Sequence, residues 1–91
     1  MGQVVLGIDV SKDKLDVALL DGQKLRHRQV SNDPTGYARL VAWIRSVSSE
    51  QVHVCLEATG QYGDGIAAYL FERGYAVSVV NPARIKAYAE S

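Results

Sequence analysis

The stretch VVLGIDVSKDKLDVALLDG, residues 4–22, decides the fold. Residues 4–10 are β-branched and mostly apolar on both faces, as in a strand held in the middle of a sheet, and Asp9 is the exception. Ser11-Lys12-Asp13 reads as a turn, residues 15–20 as a second strand, and Asp21-Gly22 as a hairpin turn. A third strand over 24–30 follows directly. Its period-two faces are Lys24/Arg26/Arg28 and Leu25/His27/Gln29, the pattern of an edge strand guarded by charge.

Beyond this hairpin triplet the period changes. Asp33 reads as the cap of a helix whose first residue is Pro34, and Tyr37, Leu40, Val41 and Ile44 keep helical spacing over 34–47. Residues 52–57 form a fourth strand with Val52, Val54 and Leu56 on one face and Glu57 at its end. Ala58-Thr59-Gly60 is a turn, and a second helix runs over 62–73 with Ile66, Tyr69 and Leu70 inward and Gly74 as its left-handed terminator. Residues 75–80 make a fifth strand. Asn81-Pro82 starts a third helix carrying Ile85, Tyr88 and Ala89, and Ala89-Glu90-Ser91 shows no cap, glycine or polar tail, which predicts a fragment of a longer protein. The order βββαβαβα predicts an α/β fold over residues 1–91 as a single domain. Its mixed five-stranded sheet has the first three strands antiparallel and two more added in parallel, the ribonuclease H-like order.

Composition narrows the function. The chain has 91 residues, 47% hydrophobic, enough for one modest core. Ten Lys+Arg balance ten Asp+Glu, and the balance holds within 1–33 and within 34–91, so there is no basic arm of the kind a freestanding DNA-binding module carries. Apolar runs are far below the roughly 20 residues of a membrane span, and no signal peptide is visible. A single cysteine, Cys55, excludes an internal disulfide and a Cys-based zinc site. A soluble protein of the cytoplasm is expected.

Two residues then stand out. Asp9 and Glu57 are acids at or near the ends of strands that otherwise read as buried, and a buried lone carboxylate costs several kcal/mol unless paired, protonated or bound to metal. In the expected topology the first and fourth strands are parallel neighbours, so the two acids meet at their carboxyl ends, where open α/β sheets place their sites. A hard divalent cation, Mg2+ or Mn2+, would relieve their repulsion. The alternative is that each acid caps a turn by accepting from local backbone amides.

Gly7-Ile8-Asp9-Val10-Ser11-Lys12, then Leu15-Asp16-Val17-Ala18, Glu57-Ala58-Thr59-Gly60 with Tyr62, and Asn81-Pro82 resemble the amino-terminal region of the DEDD transposases of the one-hundred-and-ten insertion-sequence family, relatives of the Piv-type DNA invertases. The resemblance covers essentially the whole chain. It implies a RuvC-like domain whose four acids bind divalent metal, with Asp9 the first and Glu57 the second, both catalytic. It also implies DNA as substrate, a bridge RNA as guide, transposition of an insertion sequence by strand cleavage and transfer, and action at the bacterial nucleoid. The family's third and fourth acids lie in a Thr-Asp-x-x-Asp-Ala segment, and its carboxyl-terminal serine lies in a further domain. Neither has a counterpart here, so these 91 residues alone are expected to be inactive.

Other residues carry weaker signals for nucleic acid. Ser11 and Lys12 could contact phosphate or be ordinary turn residues, and Thr59-Gly60 could let backbone amides approach one. Lys24, Arg26 and Arg28 form a stripe that either follows a nucleic-acid backbone or only prevents strand pairing. His53 and Cys55 share a face with Glu57 and read as packed core rather than as metal ligands, and Trp43 reads as packed beside Ile44. Asp16 is a reserve ligand. Two rival readings remain: an ATP-binding domain of the sugar-kinase/actin superfamily, whose hairpin usually carries a glycine that Val10-Ser11-Lys12 lacks, and a non-catalytic assembly domain. The apolar face bearing Ile85 and Tyr88 is expected to pair with another copy, giving a homo-oligomer, or with the remainder of a longer protein.

Overall fold

Seven elements form where the patterning places them. The computed structural model describes residues 4–48, 51–57 and 62–80, which form β1 (Val4–Val10), β2 (Lys14–Asp21), β3 (Lys24–Ser31), α1 (Pro34–Val47), β4 (Val52–Glu57), α2 (Asp64–Glu72) and β5 (Ala76–Val80). The sheet order is β3-β2-β1-β4-β5. The first three strands are antiparallel, and β4 and β5 are added in parallel, as the element order requires.

Alternation decides which face packs. Val4, Leu6 and Ile8 of β1, Leu15, Val17 and Leu19 of β2, and Val52, Val54 and Leu56 of β4 are all buried. Period two puts each set on one side of its strand. The buried residues of α1 (Tyr37, Leu40, Val41, Ile44) and of α2 (Ile66, Leu70) join them in a single core, so both helices lie on that side. The other face is uncovered among the described residues: Val5, Gly7 and Ala18 are half-buried, and Leu20 and Leu25 exposed. This corrects the expectation that β1 is buried on both faces. An apolar residue on each face showed only that β1 is central, and the two crossovers happen to fall on the same side.

The strand-to-helix junction before α1 is tightly built. Asp33, extended at φ −156°, accepts from the Gly36 amide at 2.8 Å and from the Ser31 hydroxyl at 2.8 Å, with Pro34 opening the helix. Any side chain at position 36 would collide with the Ser31 carbonyl, so glycine is required there. These bonds, the Gly36 amide foremost, hold the Asp33 carboxyl below its ordinary value of 3.8.

The second helix starts at Asp64, two residues later than the spacing predicts, because the Tyr62 carbonyl is engaged by the side chain of Asn32 at 3.0 Å and Gly63 supplies the first helical acceptor, to the Ala67 amide. It ends as expected, with Gly74 at φ +88° so that the Tyr75 amide reaches back to Leu70. Tyr69 is half-buried, its ring 5.4 Å from that of Tyr37 and covered by the Arg73 guanidinium. The expected third helix, with Ile85 and Tyr88, lies outside the described residues.

A depressed Asp33 pKa adds stability that is present above pH 3.8 and is lost as pH falls through the lower folded value. Thermal melts across that acid range should therefore fall steeply for the wild type and more shallowly for Asp33→Asn, which keeps a capping oxygen without the charge. Parallel pH profiles for the two would show that the cap carries no titrating stability.

Candidate functional site

The β1–β4 register sets Asp9 directly beside Glu57, and the β1–β2 register sets Asp9 directly opposite Asp16. Neighbouring strands lie about 4.8 Å apart. Each acid follows or precedes a buried core residue (Ile8, Leu56, Leu15 and Val17), so all three project from the uncovered face. They line, with Gly7, Ala18 and Cys55, a shallow depression of about 260 Å³ at the carboxyl ends of β1 and β4.

This placement changes the physical argument for the pair. Asp9 is exposed and Glu57 half-buried, so neither bears the desolvation cost that a doubly covered sheet would impose. What remains is repulsion between like charges on adjacent strands. Asp16 is partly satisfied, its Oδ1 accepting from Gln29 Nε2 at 2.8 Å. Among the described residues nothing donates a hydrogen bond to the side-chain carboxylate of Asp9 or Glu57 or forms an ion pair with either. For Asp9 the local-cap alternative finds no amide among the described residues, and the amides that would cap Glu57, in 58–60, lie outside them. The pair can offer a cation two carboxylates, but no group of three or more His, Cys, Asp or Glu among the described residues stands close enough to hold a metal.

Other candidates separate from this point. His53 and Cys55 share the Glu57 face but are half-buried rather than core, because that face is uncovered, and His53 Nε2 pairs with the Ser78 hydroxyl at 2.9 Å. The Ser11 hydroxyl and amide both bond the Lys14 carbonyl, closing the β1–β2 turn, while Lys12 is exposed beside it. Thr59 and Gly60 lie outside the described residues. Lys24, Arg26 and Arg28 are exposed on edge strand β3, in register with the buried Leu19 and Val17, hence on the helix-bearing side, away from the acids. The Arg28 guanidinium lies 5.8 Å from the ring centroid of half-buried Trp43 on α1. A larger hollow of about 350 Å³ follows this outer edge between Lys14, Arg28 and Arg39. It contains neither Asp9 nor Glu57.

Sequence reasoning passed over Asn32, reading it only as part of the Asn-Asp-Pro boundary. Its side chain bonds three segments around the carboxyl end of the sheet. The available signal was an amide-bearing residue placed ahead of a helix that the Asp33 carboxylate already caps.

The model of a family described as Transposase, the DEDD transposases of the one-hundred-and-ten insertion-sequence type, matches residues 6–91. Over 93 aligned positions the chain is 30% identical to the pilin gene-inverting proteins of Moraxella lacunata and Moraxella bovis, an alignment that takes in 100% of this chain and 29% of each relative. The chain therefore spans 29% of the length of these curated relatives. Among solved structures, T. thermophilus RuvC in complex with a Holliday junction substrate aligns with a TM-score of 0.65 at 19% identity, over 92% of this chain and 68% of that one. The fold is RuvC-like.

The acid row carries its own consequence for stability. Asp9 is flanked by Asp16 and Glu57, so Asp9→Asn should stabilise the metal-free protein at low salt by about 0.5 kcal/mol. The gain should shrink as salt screens the row. Denaturant unfolding at low and high ionic strength checks it, and an Asp9→Asn protein less stable than wild type at low salt would contradict the geometry.

Proposed function

This chain belongs to the DEDD transposases of the one-hundred-and-ten insertion-sequence family, and from that membership we propose that it is the amino-terminal part of a DNA recombinase in which Asp9 and Glu57 hold a divalent cation. The observation that carries the reading is their direct pairing across β1 and β4, on one uncovered face, with no described partner for either carboxylate. Two hard oxygen donors, side by side and open to solvent, fit Mg2+ or Mn2+, which keep several waters and take one or two protein carboxylates plus substrate phosphate.

A cation bound there would assist phosphodiester cleavage by activating the attacking oxygen and stabilising the leaving one. The protein's own part is to hold the two carboxylates in one row and to leave their face open to a DNA strand. Lys12, exposed in the turn just beyond Asp9, is the cation for a neighbouring phosphate. The Ser11 hydroxyl is committed to its turn and takes no such role. In the same reading the other two acids of the metal site come from outside this chain, a structured RNA guides the longer protein to DNA, and it acts in the cytoplasm at the nucleoid. No helix among the described residues is long and apolar enough to cross a membrane.

Mn2+ titration followed by electron paramagnetic resonance tests the reading. Asp9→Asn and Glu57→Gln should each weaken binding by about tenfold or more, whereas Asp16→Asn, whose carboxylate is already bonded to Gln29, should change it by less than about threefold. Equal Mn2+ affinity in wild type, Asp9→Asn and Glu57→Gln would remove the metal from this pair and favour the assembly-domain reading.

A further inference from the structure

Asn32 sits, half-buried, between β3 and α1 and bonds three separate segments. Its Nδ2 donates to the Ser11 carbonyl at 2.8 Å and to the Tyr62 carbonyl at 3.0 Å, and its Oδ1 accepts from the Tyr37 hydroxyl at 2.6 Å. Its backbone amide adds a bond to the Asp13 carbonyl at 3.0 Å. The orientation of the amide is fixed by chemistry, since two carbonyls can face only an NH2 group.

The two carbonyls belong to particular places. Ser11 lies two residues beyond Asp9, and Tyr62 lies five beyond Glu57 and just ahead of α2. Asp9 is the penultimate residue of β1 and Glu57 the last of β4, so both carboxylates stand where ladder bonding runs out. Strand ends open more readily than strand centres, and mutual repulsion between the acids pushes toward separation. A single amide tied to both flanking segments opposes this.

The rest of the surroundings serve the same amide. Tyr37 is buried on α1, and Gly65 of α2 leaves its phenol room: a Cβ there would lie 2.7 Å from the hydroxyl. Burial, and secondarily the Asp33 charge, raise the Tyr37 pKa above its ordinary value, which keeps the phenol protonated as a donor.

We propose that Asn32 is a positioning residue for the Asp9–Glu57 pair, holding the exit of β1 and the approach to α2 at a fixed separation so that the two carboxylates address one cation. The proposal rests on the metal reading of that pair.

The test compares Asn32→Asp, which is isosteric but sets an acceptor against two carbonyls, and Asn32→Ala with Val41→Ala, a core truncation on α1 that touches neither segment's bonds. Two quantities are measured: amide hydrogen exchange at Ser11 and Ala67, whose amides bond the Lys14 and Gly63 carbonyls beside the two clamped segments, and Mn2+ affinity by electron paramagnetic resonance. Both Asn32 variants should speed exchange at both amides by about tenfold relative to the β2–β3 hairpin and weaken Mn2+ binding by about tenfold. Val41→Ala should lower global stability while moving neither quantity. Unchanged exchange in the Asn32 variants overturns the clamp, and faster exchange with undiminished Mn2+ affinity overturns the positioning role. A wild type that binds Mn2+ no better than Asp9→Asn overturns the metal reading itself, and the positioning role with it, a failure recognisable because it appears without any change at Asn32.

Discussion

The register between β1 and β4 is the constraint on which the rest of this structure depends. It pairs Leu6 with Val54 and Ile8 with Leu56, four side chains that are essentially inaccessible to solvent, and so pairs Asp9 with Glu57 at the next step. Each such burial is worth roughly 1.5–3 kcal/mol. A slip of one residue in β1 would turn Leu6 and Ile8 outward and drive Asp9 into the core. The same apolar alternation that makes the core therefore fixes the acid pair, and no interaction between the acids is needed to bring them together. Packing holds in place two groups that repel.

That arrangement explains why the acids are tolerated. On a sheet covered on both sides they would bear a large desolvation cost. Both helices among the described residues lie on the Leu6 side and leave Asp9 exposed and Glu57 half-buried, so the cost falls to cross-strand repulsion, of the order of 0.2–1 kcal/mol per pair. A folded chain with a modest core can carry that. Surplus like charge gathered on one face while the surroundings remain neutral is a local conflict of the kind expected where function, rather than stability, sets the residue.

The sequence made most of this legible because its strongest signals are local. The hairpin at Asp21-Gly22, the Asp33-Pro34 helix start and the Gly74 stop each rest on one backbone requirement, and the structure realises each of them. Parallel pairing of β1 with β4 followed from element order, and with it the meeting of Asp9 and Glu57. Two kinds of information were not local. Which face a crossover helix covers is not written in strand alternation when both faces carry apolar residues, and the burial of Asp9 was misjudged for that reason. Asn32 escaped because its bonds reach 21 and 30 residues away, and no window along the chain contains both partners. The late start of α2 has the same origin, since the Tyr62 carbonyl is withdrawn from the helix by that distant amide.

The distribution of charge bears on how nucleic acid could meet this surface. Affinity for a phosphate backbone ordinarily comes from lysine and arginine on the contacting face. On the acid-bearing face the described residues offer Lys14 on β2, whereas Lys24, Arg26 and Arg28 lie on the opposite side of edge strand β3, where Arg28 leans on Trp43. On the proposed reading a strand approaching Asp9 and Glu57 meets a negative surface first, and a cation held by the pair, together with Lys12 in the adjoining turn, would supply the attraction there. The stripe on β3 is then not a continuation of the acid site. It is a separate face, and a nucleic acid lying along it would be a different segment from the one at the carboxylates.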